Sequence, residues 1–241
     1  MGIQNLLPQL KDVIKPAHIS HLNGQRVAVD GYCWLHRSIY FAQFDYKTGT
    51  IIDDGKWIEY CINMIDMFLK YDIKVFMVFD GNYLPGKEGT ESERAKAREN
   101  NRAKGMDLAQ SGDLQNARMF LSRAVDIDPL MASKLIRVLQ ICRPQVNCVV
   151  APYEADAQLA ALCYDDIVDA VVSEDSDTIP YGCKQILFKL DRTGACERLR
   201  LDDLFKIPIE GFDMQGFTKD MTISMAVLSG CDYLVSFILY V

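Results

Sequence analysis

The chain has 241 residues, 49% of them hydrophobic, enough to bury the core of one large α/β domain or two small ones. Its 26 Lys and Arg against 33 Asp and Glu give a formal charge of −7, which speaks against a nucleic-acid partner unless acids gather in one cleft and bases on one ridge. No apolar run reaches the roughly 18 residues of a membrane span, and no signal-peptide pattern opens the chain. The eight cysteines form no C-x-x-C pair and no zinc spacing with His18, His21 and His36, so a reducing, intracellular compartment is expected.

In chain order, RVAVD (26–30), KVFMVFD (74–80), VNCVVA (146–151), VDAVVSED (168–175) and ILFKL (186–190) are short, apolar and rich in β-branched residues, which predicts buried strands. Between the first two, Trp57, Cys61, Met64, Ile65 and Phe68 fall on one face of a helix, and a second helix follows the third strand over YEADAQLAALCY. Strand, helix, strand at this spacing predicts parallel pairing with right-handed crossovers. Residues 86–142 carry no strand signal and are expected to be a helical insertion. Its piece AKGMDLAQSGDLQNARMFLSRAVDID also has the look of one tetratricopeptide hairpin turning at Gly112-Asp113, though a single copy has no neighbour to stack on.

Parallel strands gather their C-terminal ends at one edge of the sheet, where open α/β sheets place their sites. Here those ends carry acids. Asp30 closes the first strand, Asp80 the second, Glu154 and Asp156 come after the third, and Asp175 and Asp177 after the fourth, in the crowded run SEDSD. Asp232 in SGCDYL is a seventh candidate. Any one of these could be a helix cap. Six at four successive strand ends repel one another unless cations neutralise them. All-oxygen ligands without His or Cys select a hard divalent ion, Mg²⁺ or Mn²⁺. Two such ions suit phosphodiester hydrolysis. The insertion supplies the opposite charge, with Arg94, Lys96, Arg98, Arg102 and Lys104 inside eleven residues, either a solvated helix face or phosphate contacts.

The stretches MGIQNLLP, VAVDGYCWLH (27–36), VFDGNYLPGK (78–87), VAPYEADAQLA (150–160), SEDSD (173–177) and LSGCDYL (228–234) resemble, in order and over nearly the whole chain, the flap endonuclease family of structure-specific 5′ nucleases, and within it the exonuclease 1 branch. The resemblance implies a central, mostly parallel sheet flanked by helices, a PIN-like 5′ nuclease fold with a helical arch insertion. It implies a single nuclease domain over 1–241, with an N-terminal region 1–99, an arch over about 86–128, an internal region over about 129–234 and an atypical tail 235–241. The implied activity is Mg²⁺-dependent 5′-to-3′ exonuclease and 5′ flap endonuclease action on DNA ends, nicks and flaps in mismatch repair and end resection, in the nucleus, with mismatch-repair proteins as partners.

Residue by residue, Asp30, Asp80, Glu154, Asp156, Asp175, Asp177 and Asp232 match the carboxylates for two metal ions, with Mn²⁺ as a substitute for Mg²⁺. Lys87 and Arg94 match the basic pair that grips the scissile phosphate. Gly2, Tyr32 and His36 match positions near the DNA terminus, and Lys96, Arg98, Arg102 and Lys104 lie on the arch. Two features depart from the pattern. Thr178 and Pro180 replace more apolar residues, and VSFILYV stands where the family continues into a helix-two-turn-helix. The alternative expectation is therefore a truncated, weakly active or inactive DNA-binding or regulatory fragment.

Overall fold

In the computed structural model the chain runs α1 (Leu6–Gln9), β1 (Lys15–His18), β2 (Arg26–Asp30), α2 (Gly31–Ser38), β3 (Gln43–Asp45), β4 (Thr50–Ile52), α3 (Lys56–Leu69), β5 (Lys74–Phe79), α4 (Glu88–Gln110), α5 (Leu114–Arg123), α6 (Pro129–Cys142), β6 (Asn147–Val150), α7 (Ala155–Tyr164), β7 (Ala170–Val172), β8 (Gln185–Phe188), β9 (Ala195–Arg200), α8 (Leu201–Leu204) and α9 (Lys219–Ser229). The structure describes residues 3, 5–52, 55–84, 88–206, 208–209 and 214–230, with the backbone alone for 88–91. Gly2, Lys87, Asp232 and the tail 235–241 lie outside the described residues.

All five predicted strands form, as β2, β5, β6, β7 and β8. They pair in parallel in the order β8-β7-β2-β5-β6, and β9 and β1 extend the β8 side in antiparallel fashion to make seven strands. Val27, Ala28 and Val29 are fully buried, as are Ala170 and Val171, because central parallel strands are covered on both faces. The result is a mixed, mostly parallel sheet flanked by helices. Its sequence runs outward from β2 to β5 and β6 on one side and to β7 and β8 on the other, so β2 stands at a topological switch point.

The described residues fall into two compact units. The first, drawn from Met1–Asp30, Asp66–Leu84 and Gln145–Val241, contains the seven-stranded sheet. Its core joins Ala28, Val78, Val171, Ile186 and Phe188 of the sheet to Leu159, Leu162 and Cys163 of α7, and to Leu6 and Leu10 near the N-terminus. The second unit, drawn from Gly31–Ile65 and Pro85–Pro144, holds α2, the β3–β4 hairpin, α4, α5 and α6. The polar α4 turns at Ser111–Asp113, where Gly112 takes φ +86° and the Asp113 carboxylate accepts from Asn116 N, starting α5. A Cβ on Gly105 would lie 2.8 Å from Leu121 Cγ, so glycine lets the two helices cross closely. The residues expected in the arch fall in this unit as a helical hairpin.

Candidate active site

Asp30, the last residue of β2, is 5% exposed and lies beside Val78 in register. One hydroxyl ties it to the end of β7: Ser173 Oγ donates to Asp30 Oδ2 at 3.3 Å and accepts from Asp175 N at 3.1 Å. On the other side of β2, the chain leaving β5 turns at Gly81. Gly81 N donates to Tyr153 O at 2.6 Å and Asn82 N to Pro152 O at 3.1 Å. A Cβ on Gly81 would stand 1.8 Å from the Ala151 carbonyl oxygen, so only glycine allows this approach. The consequence is chemical. Asp80 is brought to the start of α7, where its Oδ1 accepts from Ala155 N at 2.6 Å and caps the helix from a neighbouring strand.

Glu154 is therefore the N-cap residue of α7 with an extended backbone and no capping bond from its own side chain. Asp156 lies in the first turn. Its Oδ1 is buried and makes no hydrogen bond. Burial, and then the charges of Asp175, Asp30, Asp177 and Asp80, push its pKa up to about 9. Four of the predicted carboxylates thus act on the fifth. Asp175 and Asp177 are held by a 3-10 turn (Ser176–Thr178): Asp175 Oδ1 accepts from Asp177 N at 3.0 Å, Thr178 Oγ1 donates to Asp175 O at 2.7 Å, and Ile3 N donates to Ser176 Oγ at 2.8 Å. The hydroxyl of Thr178 explains that departure from the family pattern, because the side chain is fully buried and bonded inside the turn.

Among the described residues, no three His, Cys, Asp or Glu side chains already stand as a finished metal-holding group. Local donors explain this in part, since Asp30, Asp80 and Asp175 accept from Ser173 Oγ, Ala155 N and Asp177 N. The residues nevertheless fit a divalent ion. An orphaned buried carboxylate oxygen and mutually repelling acids offer an all-oxygen donor set that a hard cation satisfies. Metal binding displaces the protons of such groups. Ser173, Gly81 and the Ala155 amide carry no mark in the sequence reading, and Thr178 enters it only as a departure from the family pattern. Of these, Gly81 has a signal, an Asp-Gly pair closing a strand.

In the second unit, His36 of α2 is exposed at its rim, yet its pKa is lowered, first by desolvation and then by the Arg94 and Arg98 guanidinium groups, with Asp126 opposing. Tyr32, on the same helix, is half-buried. Arg98 pairs with Asp126 at 3.6 Å, and Lys104 Nζ sits 4.4 Å from the centre of the Phe120 ring. Arg94, Lys96 and Arg102 are exposed on α4. His36, Arg94 and Arg98 thus form one electrostatic neighbourhood, whereas two of the five predicted cations also make contacts inside the hairpin.

Residues 1–101 match the XPG N-terminal domain and residues 145–232 the XPG I-region. Exonuclease 1 of Oryza sativa subsp. japonica is 40% identical over 236 residues, covering 98% of this chain and 28% of that protein. Exodeoxyribonuclease 1 of Saccharomyces cerevisiae is 35% identical over 233 residues, covering 97% and 32%. The chain thus spans 28% and 32% of the length of these two relatives. Among solved structures, the catalytic core of Rad2 in complex with DNA substrate superposes with a TM-score of 0.71 at 21% identity, over 100% of this chain and 65% of that one. Flap endonuclease-1 from Methanococcus jannaschii gives 0.61 at 20% identity, over 100% and 74%. At these identities the two structures share the fold.

Proposed function

We propose that this chain, which belongs to the XPG/flap endonuclease family of structure-specific 5′ nucleases and has exonuclease 1 proteins as relatives, hydrolyses DNA phosphodiesters as a 5′-to-3′ exonuclease on duplex and an endonuclease on 5′ flaps. The observation that carries this reading is the acidic edge, where the buried, orphaned oxygen of Asp156 lies within the field of Asp30, Asp80, Asp175 and Asp177. These five and Glu154 are the residues that would hold Mg²⁺, or Mn²⁺ in its place, and the family pattern adds Asp232. When bound, two such ions supply an activated water and stabilise the leaving oxygen of a phosphodiester.

The chain's own residues have separate tasks. Asp80 holds the start of α7, where Glu154 and Asp156 stand, while Ser173 ties Asp30 to the Asp175 turn. Asp156 gives up its proton when the site fills. Lys87 and Arg94 stabilise the scissile phosphate as its negative charge grows, and interactions of that kind appear in the rate. Tyr32 and His36 offer rings for the terminal nucleotides, with Gly2 leaving room for backbone approach. Lys96, Arg98, Arg102 and Lys104 contact phosphates. This reading implies DNA 5′ ends, nicks and flaps as substrates, mismatch-repair proteins as partners and the nucleus as the place of action.

The test is a cleavage assay on a 5′-labelled recessed duplex and on a 5′ flap, with and without Mg²⁺. Metal-dependent release of mononucleotides from the duplex and of a short oligonucleotide from the flap is expected. Cleavage that persists in chelator would sink the reading.

A further inference from the structure

The run SEDSD contains one acid whose hydrogen bond leads away from the edge, toward β8. Ser173 Oγ bonds to Asp30 and to the Asp175 amide, whereas the next side chain, that of Glu174, reaches toward the exit of β8. Its Oε1 accepts from Lys189 N at 2.9 Å, fifteen residues on. Lys189 lies immediately past β8 and takes φ +52°, a left-handed conformation that a side-chain-bearing residue adopts only when its surroundings hold it there. The same residue is fixed at its far end, where Lys189 Nζ pairs with Glu197 of β9 at 2.9 Å. The Glu174 carboxylate thus connects the exit of β7 to the exit of β8.

That connection matters because the next residues of the chain belong to the acidic edge. The ladder between β7 and β8 ends at Ser173, whose N–H donates to Leu187 O at 3.3 Å, short of Asp175 and Asp177. Bonds within the 3-10 turn are local, and one from Ile3 N reaches Ser176 Oγ. Past the end of the ladder, a bond from Lys189 N to Glu174 connects this segment to the exit of β8.

We propose that Glu174 is a positioning residue for the metal-holding carboxylates: by gripping the Lys189 amide it fixes the exit of β7, so that Asp175 and Asp177 are presented to the ions together. The proposal rests on the reading of the acidic edge as a divalent-metal site.

The experiment is a titration of Mn²⁺ into the metal-free chain, without DNA, monitored by loss of the free-ion paramagnetic resonance signal. Glu174→Gln keeps the reach and an accepting oxygen but loses the charge. Glu174→Asp keeps the charge but is one methylene too short. Supporting partners of metal ligands typically contribute about 10–100-fold to metal affinity, so Glu174→Asp should bind Mn²⁺ at least about tenfold more weakly, and Glu174→Gln within about twofold of the parent. Lys189→Gly keeps the amide and suits the left-handed backbone, so it should bind as the parent does, and unfolding midpoints of all three should show folded protein. Parent-like affinity in Glu174→Asp, or equal losses in Glu174→Gln and Glu174→Asp, overturns the proposal. Asp175→Ala separates the two levels. If it loses saturable binding while Glu174→Asp does not, the metal site stands and the positioning role falls; if it binds as the parent does, the metal site itself falls.

Discussion

The acidic edge of the sheet and the basic helix α4 each concentrate one sign of charge, and they hold it in opposite ways. Asp30 and Asp175 are each 5% exposed, and a carboxylate oxygen of Asp156 is buried without a partner. On α4, Arg94, Lys96, Arg102 and Lys104 stand exposed, where water and salt screen them within a Debye length of about 8 Å. Buried like charges raise one another's energy far more than exposed ones do. Solvation accounts for the helix. The edge is different, since folding gains nothing from crowding carboxylates at a switch point, and a cation is the simplest thing that resolves their repulsion.

Breaking the acidic side should have the largest effect. Asp175→Ala is expected to lower cleavage by at least about 10²–10³, the scale seen when one pre-placed electrostatic group is removed from a transition state. The metal-free unfolding midpoint should be unchanged or higher, because one repelling charge has gone. Wild-type turnover at saturating Mg²⁺ would remove Asp175 from the site.

Gly81→Ala attacks the same side through the backbone. A Cβ at 1.8 Å from the Ala151 carbonyl must push β5's exit away from residues 151–153, at a cost of about 3 kcal/mol, the upper part of the usual overpacking range. Urea unfolding reads the loss directly. A midpoint equal to the parent's would mean that the turn adjusts freely and that Asp80 is not fixed by it.

Arg94→Ala sharpens the comparison from the basic side. The expected loss is about tenfold in the chemical step, with a smaller change in DNA affinity, because a contact to a phosphate that gains charge is worth most in the transition state. Single-turnover kinetics separate the two quantities. An effect on affinity alone would make Arg94 an ordinary phosphate contact.

The effect that is smallest per step is in pH dependence, and its sign is informative. Asp156 titrates near 9 when folded against an ordinary value of 3.8, so between those values the folded chain binds the extra proton. Stability of the metal-free chain should therefore fall as pH rises from about 4 through about 9, with a slope no steeper than about 1.4 kcal/mol per pH unit, the ceiling for one proton. Asp156→Asn should flatten that slope. Stability that rises across this range would contradict the burial of Asp156 among acids.

The parts of the molecule that the sequence displays are those with strong apolar patterning. Residues 27–29 and 77–79 are buried on both faces in the sheet, and the placement of the acids at the ends of RVAVD and KVFMVFD comes from parallel direction alone. The antiparallel strands were not legible. KPAH in β1 and ACERLR in β9 bury too few side chains to stand out, and β3 and β4 have three residues each. The roles within SEDSD were equally hidden. Composition cannot tell that Glu174 reaches a backbone amide fifteen residues away while Asp175 turns inward, because that depends on the left-handed turn at Lys189. The bland capping reading also proved true of Asp80 and Asp175, each of which accepts a backbone N–H while also acting on Asp156.

The most direct test of a metal centre at the acidic edge is the thermal unfolding midpoint of the DNA-free chain with and without Mn²⁺, for the parent and for Asp175→Ala. Binding to the folded state alone stabilises by about 2.7 kcal/mol at a hundredfold excess over the dissociation constant, so Mn²⁺ should raise the parent's midpoint by several degrees and leave that of Asp175→Ala where it was. Equal midpoints for the parent with and without Mn²⁺, or equal shifts in the two proteins, would contradict it.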